Sequence, residues 1–345
     1  MKPASDEQMK QWDELVAVNP DAGNVLQLKA FADTKERHGW TPKYFILGKT
    51  ALLVLSRQIP RLGEFWYVPK GPGVADRTGL KAFAGMARDL PGPKPFAIRI
   101  DPEILATAAS LKQLEGYGYV TSPRNIQYNV STVVVRLDQA EDVVLGSFKQ
   151  KTRYNVRLAA KKGVTVEAVA TDQTAIDTMY HLTEVTTRRA GVYLRDKQYF
   201  SDFWKLHADS GHGQMFFAKY EGQILAGAFV TYVGHKALYK DGGSVREHPE
   251  VQAPYALQWE VMRWLMQHGV TEYDLHGTPP ADRIEDPTHP LAGLARFKTG
   301  FQPEVTEYIG TFDLPLDEGR YQIWRRIGER LAVAYEYRAT GRLFY

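Results

Sequence analysis

Residues 215–244 read MFFAKYEGQILAGAFVTYVGHKALYKDGGS. The segment 215–219 predicts a strand, Glu221-Gly222 a tight turn, 224–233 a long second strand and 237–239 a third that runs into KDGGS. Residues 252–268 follow with Leu257, Val261 and Leu265 at every fourth position and Gly269 just beyond, the signature of a helix with its cap. A strand over 270–273 then ends at Asp274. The same order stands earlier in the chain: strand 44–47, turn Gly48-Lys49, strands 51–59 and 65–68, the loop PKGPG at 69–73, helix 76–90, and strand 96–100 ending at Asp101. Gly48 and Gly222, Gly71 and Gly243, and Asp101 and Asp274 are each about 173 positions apart.

Two copies of one hairpin–strand–helix–strand unit predict α+β domains with mixed sheets flanked by helices. The unit resembles the acyl-CoA N-acyltransferase fold of the GCN5-related N-acetyltransferases, so two tandem GNAT-like domains are expected. The first should span 1–145 together with a returning helix in 317–345, the second 146–316. Acetyl-CoA enzymes of that fold hold pyrophosphate on a glycine-rich loop, about R-x-x-G-x-G, before a helix. Residues 71–78 and 244–254 occupy that place in the two copies, and neither has the pattern. No acetyl-CoA is therefore expected as donor.

The chain has 345 residues, 44% hydrophobic and 24% charged, which fits a globular protein of two domains. Its net charge of +3 means that a polyanion must be met by a local patch. Cysteine is absent, so disulfides, thiolate nucleophiles and Cys-ligated metals are excluded. No apolar leader and no membrane-length apolar run stands in the sequence, and a cytoplasmic location is expected.

One patch lies over 147–163, SFKQKTRYNVRLAAKKG. Lys149, Arg153, Arg157 and Lys161 recur every fourth residue, with no Asp or Glu from 149 to 162. On a helix they form one stripe. Like charges at that spacing repel, so an unrelieved stripe suggests a phosphate backbone or a diphosphate as partner; a solvated surface helix is the plainer reading. Downstream, Arg195 and Tyr199 stand four apart, a pair suited to a phosphate and its attached sugar or base, or equally to packing. At 291–301, LAGLARFKTGF sets Lys298 between Phe297 and Phe301 beside Gly300. Aromatic walls would keep water from the ammonium, and the glycine would let a ligand approach the backbone. The alternative is a lysine snorkelling over an apolar edge. Over 321–335, Ile323, Ile327 and Leu331 form an apolar stripe expected to pack onto the body, leaving Arg325, Arg326 and Arg330 in water. His207 and His212 lack a third ligand at a metal-binding spacing, and neither a G-x-S-x-G elbow nor a Walker A loop is present, so no metal or cofactor is expected.

Several motifs occur in a fixed order: LQ-x3-F-x3-K-x3-GW (26–40), K-x-R-x3-R-x3-K-x-GV (151–164), T-x-R-x-GV-x2-R-x3-Y (within 186–199), YKDGGS (239–244), APY (253–255), YDLHG (273–277) and GLARFKTGF (293–301). Together they resemble the Fem family (FemA, FemB, FemX and MurM-like proteins), the non-ribosomal peptidyltransferases of peptidoglycan cross-bridges. The resemblance implies an aminoacyl-tRNA donor and, as acceptor, the stem peptide of UDP-MurNAc-pentapeptide or lipid II. With a lipid-linked acceptor it also implies peripheral contact with the inner membrane face. It gives Lys35, Arg195 and Tyr199 the acceptor's diphosphate and nucleotide, and Lys298, next to Phe297, the essential role. A substrate-contacting tyrosine falls on Tyr239 or Tyr255. There is no room for the coiled-coil arm of FemA-type members, so the chain looks like the compact FemX type, and Gln302 stands where glycine is expected. Lys298 would stabilise the oxyanion of aminolysis. Asp101 would orient or deprotonate the amine, unless it only ends a strand before Pro102. The cation stripe would hold the tRNA acceptor stem. Three other functions share these features: a tRNA-dependent transferase making a peptide metabolite or tagging protein N-termini, a coenzyme A acetyltransferase, and a non-catalytic tRNA- or envelope-binding protein.

Overall fold

A computed structural model describes residues 1–191 and 194–345. The chain divides into two compact units, one of residues 1–130 with 308–345 and the other of 131–307. Both changeovers come earlier than the boundaries expected at 145/146 and 316/317. Val134–Arg136 is already a strand of the second sheet, and Phe312–Pro315 is a strand of the first.

Among the described residues the first unit carries a seven-stranded sheet. Its centre is the run Thr41–Leu47, Thr50–Ile59, Gly63–Val68 and Ala97–Ile100, antiparallel at the first two junctions and parallel at the third. A parallel neighbour needs a crossover, which the helix Arg77–Arg88 supplies. Leu80, Phe83, Ala84 and Ala87 on that helix pack on Leu52, Val54, Trp66, Ile98 and Ile100 of the sheet. The second unit repeats the plan. Gly213–Tyr220, Gln223–Val233 and Lys236–Ser244 are antiparallel, helix Ala253–Gln267 crosses over, and Glu272–Asp274 joins in parallel. The repeat read from landmark spacing is thus a repeat of sheet topology, and the chain is two tandem GNAT-like units of mixed α+β structure.

Three local expectations change. Residues 5–18, where Trp12, Leu15 and Val16 predict the apolar side of one helix, form two short helices, Asp6–Lys10 and Trp12–Ala17, because a Ser5–Gln8 capping box starts one and Gln11, off the helical backbone, divides them. KDGGS continues the third strand of the second unit. A bulge opposite Phe229 and Val230 takes up Lys240, and helix Gln173–Ala190 crosses so closely that a Cβ on Gly243 would lie 2.3 Å from the Leu182 backbone. The third concerns the last helical segment, Glu318–Ile323 through Trp324–Gly328 to Glu329–Thr340, where Ile323, Ile327 and Leu331 are exposed. The inward face belongs to Tyr321, Trp324 and Glu329. Arg99, wholly buried, donates to both oxygens of Asp313 (2.6 and 2.9 Å) and to Glu329, while Tyr321 donates to Asp313 at 3.1 Å. Turning the helix to bury its apolar stripe would strand those charges, at a cost of several kcal/mol by general experience with buried ion pairs (about 3–5 kcal/mol).

The crossover helices also bear on the donor. Asp76 caps Arg77–Arg88 by accepting from Thr78 N (2.9 Å) and Gly79 N (3.0 Å), so a carboxylate already sits where a pyrophosphate would. In the second unit Pro254 lies in the first turn of Ala253–Gln267, and its ring nitrogen has no hydrogen to offer. Among the described residues no helix is long and apolar enough to cross a membrane.

Candidate active site

In the second unit, strand Glu272–Asp274 ends in the motif YDLHG. Asp274 accepts the Thr132 hydroxyl and, at 2.7 Å, the His276 N–H. That bond helps hold His276 at φ 59°, unusual for a residue with a Cβ, with Gly277 following at φ 46°. The turn presents two consecutive carbonyls, and Lys298, the last residue of helix Ala292–Lys298, donates to both of them, to His276 O and at 2.7 Å to Gly277 O. Its side chain is only 5% exposed. Burial pushes the ammonium down to about 8, against the opposing pull of the Asp274 carboxylate. Such an amine exchanges its proton near neutral pH. While charged, it is a strong electrostatic donor in a water-poor setting. It is held by hydrogen bonds and does not snorkel.

The aromatics on either side of Lys298 in the sequence pack together on the core of the second unit. Phe297, Phe301 and Tyr255 meet in a cluster, with Tyr255–Phe297 at 5.0 Å, Phe297–Phe301 at 5.2 Å and Tyr255–Phe301 at 6.0 Å between centroids. Phe148 closes the far side against Phe301 at 5.2 Å. Gly300 has a different reason from the one expected. A Cβ there would fall 2.3 Å from Thr152 Oγ1, so this glycine admits helix Gln150–Lys161, not a ligand. The Lys149 N–H donates to Gly300 O at 2.9 Å, which joins the cationic helix to the Lys298 segment.

That helix buries Thr152, Asn155, Val156 and Ala159 and exposes Lys149, Arg157 and Lys161. Arg153 turns back to donate to the carbonyls of Phe148 and, at 3.2 Å, Gly146, so it braces the helix start as well as adding charge. Of the two tyrosines, Tyr255 packs with Phe297 and Phe301. Tyr239 is half-buried and lies across Gly242; Gln258 bonds both it and, at 3.0 Å, the Tyr273 hydroxyl, and burial pushes the Tyr239 phenol up. Arg195 lies over the Tyr199 ring at 4.3 Å, and Asp196 caps helix Lys197–Asp209 through the Tyr199 N–H at 2.9 Å, which fixes the pair to a helix start.

In the first unit, Asp101 ends its strand as Asp274 does in the second. It is buried and accepts from the Tyr67 hydroxyl (2.8 Å) and the Lys70 N–H (2.5 Å); burial pushes its carboxyl up. Gln127 donates to the Tyr67 oxygen at 2.9 Å, and the buried Lys70 ammonium stands 3.8 Å from Glu103. Lys35 is likewise buried, 5.4 Å over the Phe31 ring. Sequence reasoning missed Lys70, Tyr67 and the His276–Gly277 clamp. Both strand-end aspartates are followed or faced by a left-handed residue (Lys70, φ 51°; His276, φ 59°), a backbone angle that the sequence does not announce.

The FemAB family pattern matches residues 112–219 and 209–327. The chain belongs to the FemAB family. Membership makes it an aminoacyltransferase of peptidoglycan bridge synthesis. It is 25% identical over 409 aligned positions to a lipid II:glycine glycyltransferase of Staphylococcus aureus, covering 94% of this chain and 96% of the relative, and 25% identical over 405 positions to the protein of that name from Staphylococcus epidermidis. These alignments are longer than the 345 residues here, so the relatives carry inserted segments that this FemAB protein lacks. Among solved structures the crystal structure of FemX superposes with a TM-score of 0.81 at 24% identity, over 94% of this chain and all of that one. The C-terminal domain of a putative lysylphosphatidylglycerol synthetase from Agrobacterium fabrum superposes with 0.53 at 14%. Both share the fold.

Proposed function

We propose that this FemAB protein works in the cytoplasm and moves an amino acid from aminoacyl-tRNA to the stem-peptide amine of a peptidoglycan precursor, UDP-MurNAc-pentapeptide or lipid II. The observation that carries the reading is Lys298: a buried amine, poised near neutral pH, fixed by two carbonyls at the end of a sheet strand. The acceptor nitrogen attacks the ester carbonyl carbon of the aminoacyl-tRNA. A C–N bond forms, the C–O bond to the terminal ribose breaks, and the proton lost by the amine ends on the ribose oxygen. Two N–H directions of Lys298 go to carbonyls and the third serves the oxyanion of the tetrahedral intermediate, an interaction typically worth about 3 kcal/mol. Asp101 orients or deprotonates the amine. Lys35, Arg195 and Tyr199 take the acceptor's diphosphate and nucleotide, Tyr239 or Tyr255 the substrate, and Lys149, Arg153, Arg157 and Lys161 the tRNA acceptor stem. The glycyltransferase relatives point to glycine as the amino acid, and their names to lipid II as the acceptor.

The test is incubation of the purified chain with a mixed pool of charged tRNAs and UDP-MurNAc-pentapeptide or lipid II, following acceptor mass. A gain of one amino-acid residue, abolished by Lys298→Met in a variant that keeps its fold, is expected. Full transfer by Lys298→Met removes the assignment of Lys298; no gain on either acceptor and no deacylation of any tRNA removes the reaction.

A further inference from the structure

Helix residues Ile323, Ile327, Leu331 and Tyr335 recur every fourth position and are exposed by 51%, 56%, 64% and 73%. They form one wall of a groove of about 830 Å³ whose other wall is the hairpin 56–62, with Ile59, Pro60 and Leu62. Large apolar side chains so exposed and so aligned mark a surface that meets another apolar phase. The buried Arg99–Asp313–Glu329 network fixes which face looks outward, so the stripe cannot roll inward to hide.

The charge around the stripe selects the partner. Arg326 and Arg330 each precede a stripe residue and line its flank, Arg338 lies beyond its far end, and Arg61 stands at the hairpin tip. All four are exposed, with no carboxylate partner among the described residues. Of the three acids on the helix, Glu329 is buried against Arg99, Glu336 is paired with Arg57, and Glu318, which accepts from Gln322, stands eight residues before Arg326, so none is interleaved with these arginines on the exposed face. Pairing two copies through this face would bring arginines against arginines. An anionic bilayer offers the complement, acyl chains for the stripe and lipid phosphates for the guanidinium groups. We propose that the outer face of helix 318–340 and the groove beside it dock this protein onto an anionic membrane surface. Such docking goes beyond the transfer reaction and is independent of the chemistry at Lys298.

The experiment is co-sedimentation of the full chain, without substrates, with vesicles of equimolar phosphatidylglycerol and phosphatidylcholine and with vesicles of phosphatidylcholine alone. Binding to the anionic vesicles that weakens with salt is expected. Ile327→Glu with Leu331→Glu should lower it to the level of the neutral vesicles. Arg326→Gln with Arg330→Gln should lower it about 25-fold, at about fivefold per arginine. Thermal melts of both variants should match wild type, since all four positions are exposed. No binding by the wild type, or undiminished binding by the Ile327/Leu331 variant, overturns the proposal. A wild-type dimer abolished by that variant, without vesicle binding, also overturns it and makes the face a self-association surface.

Discussion

Replacing Lys298 with methionine tests the physical state of the amine apart from its chemistry. Free lysine titrates at 10.5, and in the fold this one is pushed down to about 8. A lowered folded value means that the unfolded chain binds the proton more tightly between those two pH values. The wild type therefore gains stability as pH rises from about 8 to about 10.5, and the gain is absent below about 8. The full span, at about 1.36 kcal/mol per pH unit, is about 3 kcal/mol. Between about pH 7 and about pH 10 it comes to about 2–3 kcal/mol. Lys298→Met has no proton to lose, while every other group titrates alike in both proteins. Urea unfolding of each at both pH values should show the variant-minus-wild-type stability falling by about 2–3 kcal/mol as pH rises. At about pH 7 the variant is relieved of the buried charge and loses the two hydrogen bonds to His276 and Gly277 and the attraction of Asp274. A difference that stays constant with pH would refute a buried, depressed amine and with it the reasoning that makes Lys298 a poised group.

Arg99→Leu leaves the Asp313 and Glu329 carboxylates buried without their cation and should destabilise the first unit by about 3–5 kcal/mol in chemical unfolding. Gly300→Ala should cost about 1–3 kcal/mol through its clash with Thr152, and adding Thr152→Ala should recover part of that in a double-mutant cycle. Reversing charge at Arg153 and Arg157 should raise KM for aminoacyl-tRNA with little change in kcat, and an unchanged KM would take tRNA off this helix; because Arg153 also braces the helix start, Arg157 should be measured alone as well. Asp101→Asn should lower kcat about 100-fold at unchanged KM, and wild-type kcat would leave the carboxylate only its bonds to Tyr67 and Lys70.

The repeat was legible because it is written locally. Strand alternation, the turn glycines, the helix period and the strand-end aspartates are set by backbone sterics and side-chain periodicity, and these recur at one offset. Lys298 was legible as a residue type between two aromatics. Its partners were not. The clamp on Lys298 comes from carbonyls of His276 and Gly277, and a backbone carbonyl has no sequence signature until the chain's path is known. Gly300 looked like room for a ligand and proved to be room for Thr152, a residue far away in sequence. The stripe at Ile323, Ile327 and Leu331 obeyed the rule that an apolar helix face packs inward, and that rule lost to a buried arginine and its two carboxylates. The sequence by itself determined the elements, their doubled order and the family, since these depend on near neighbours and on motif order. Which face of the last helix meets water, which glycine is a packing contact, and how strongly Lys298 is desolvated depend on contacts between distant residues. Only the tertiary structure decided them.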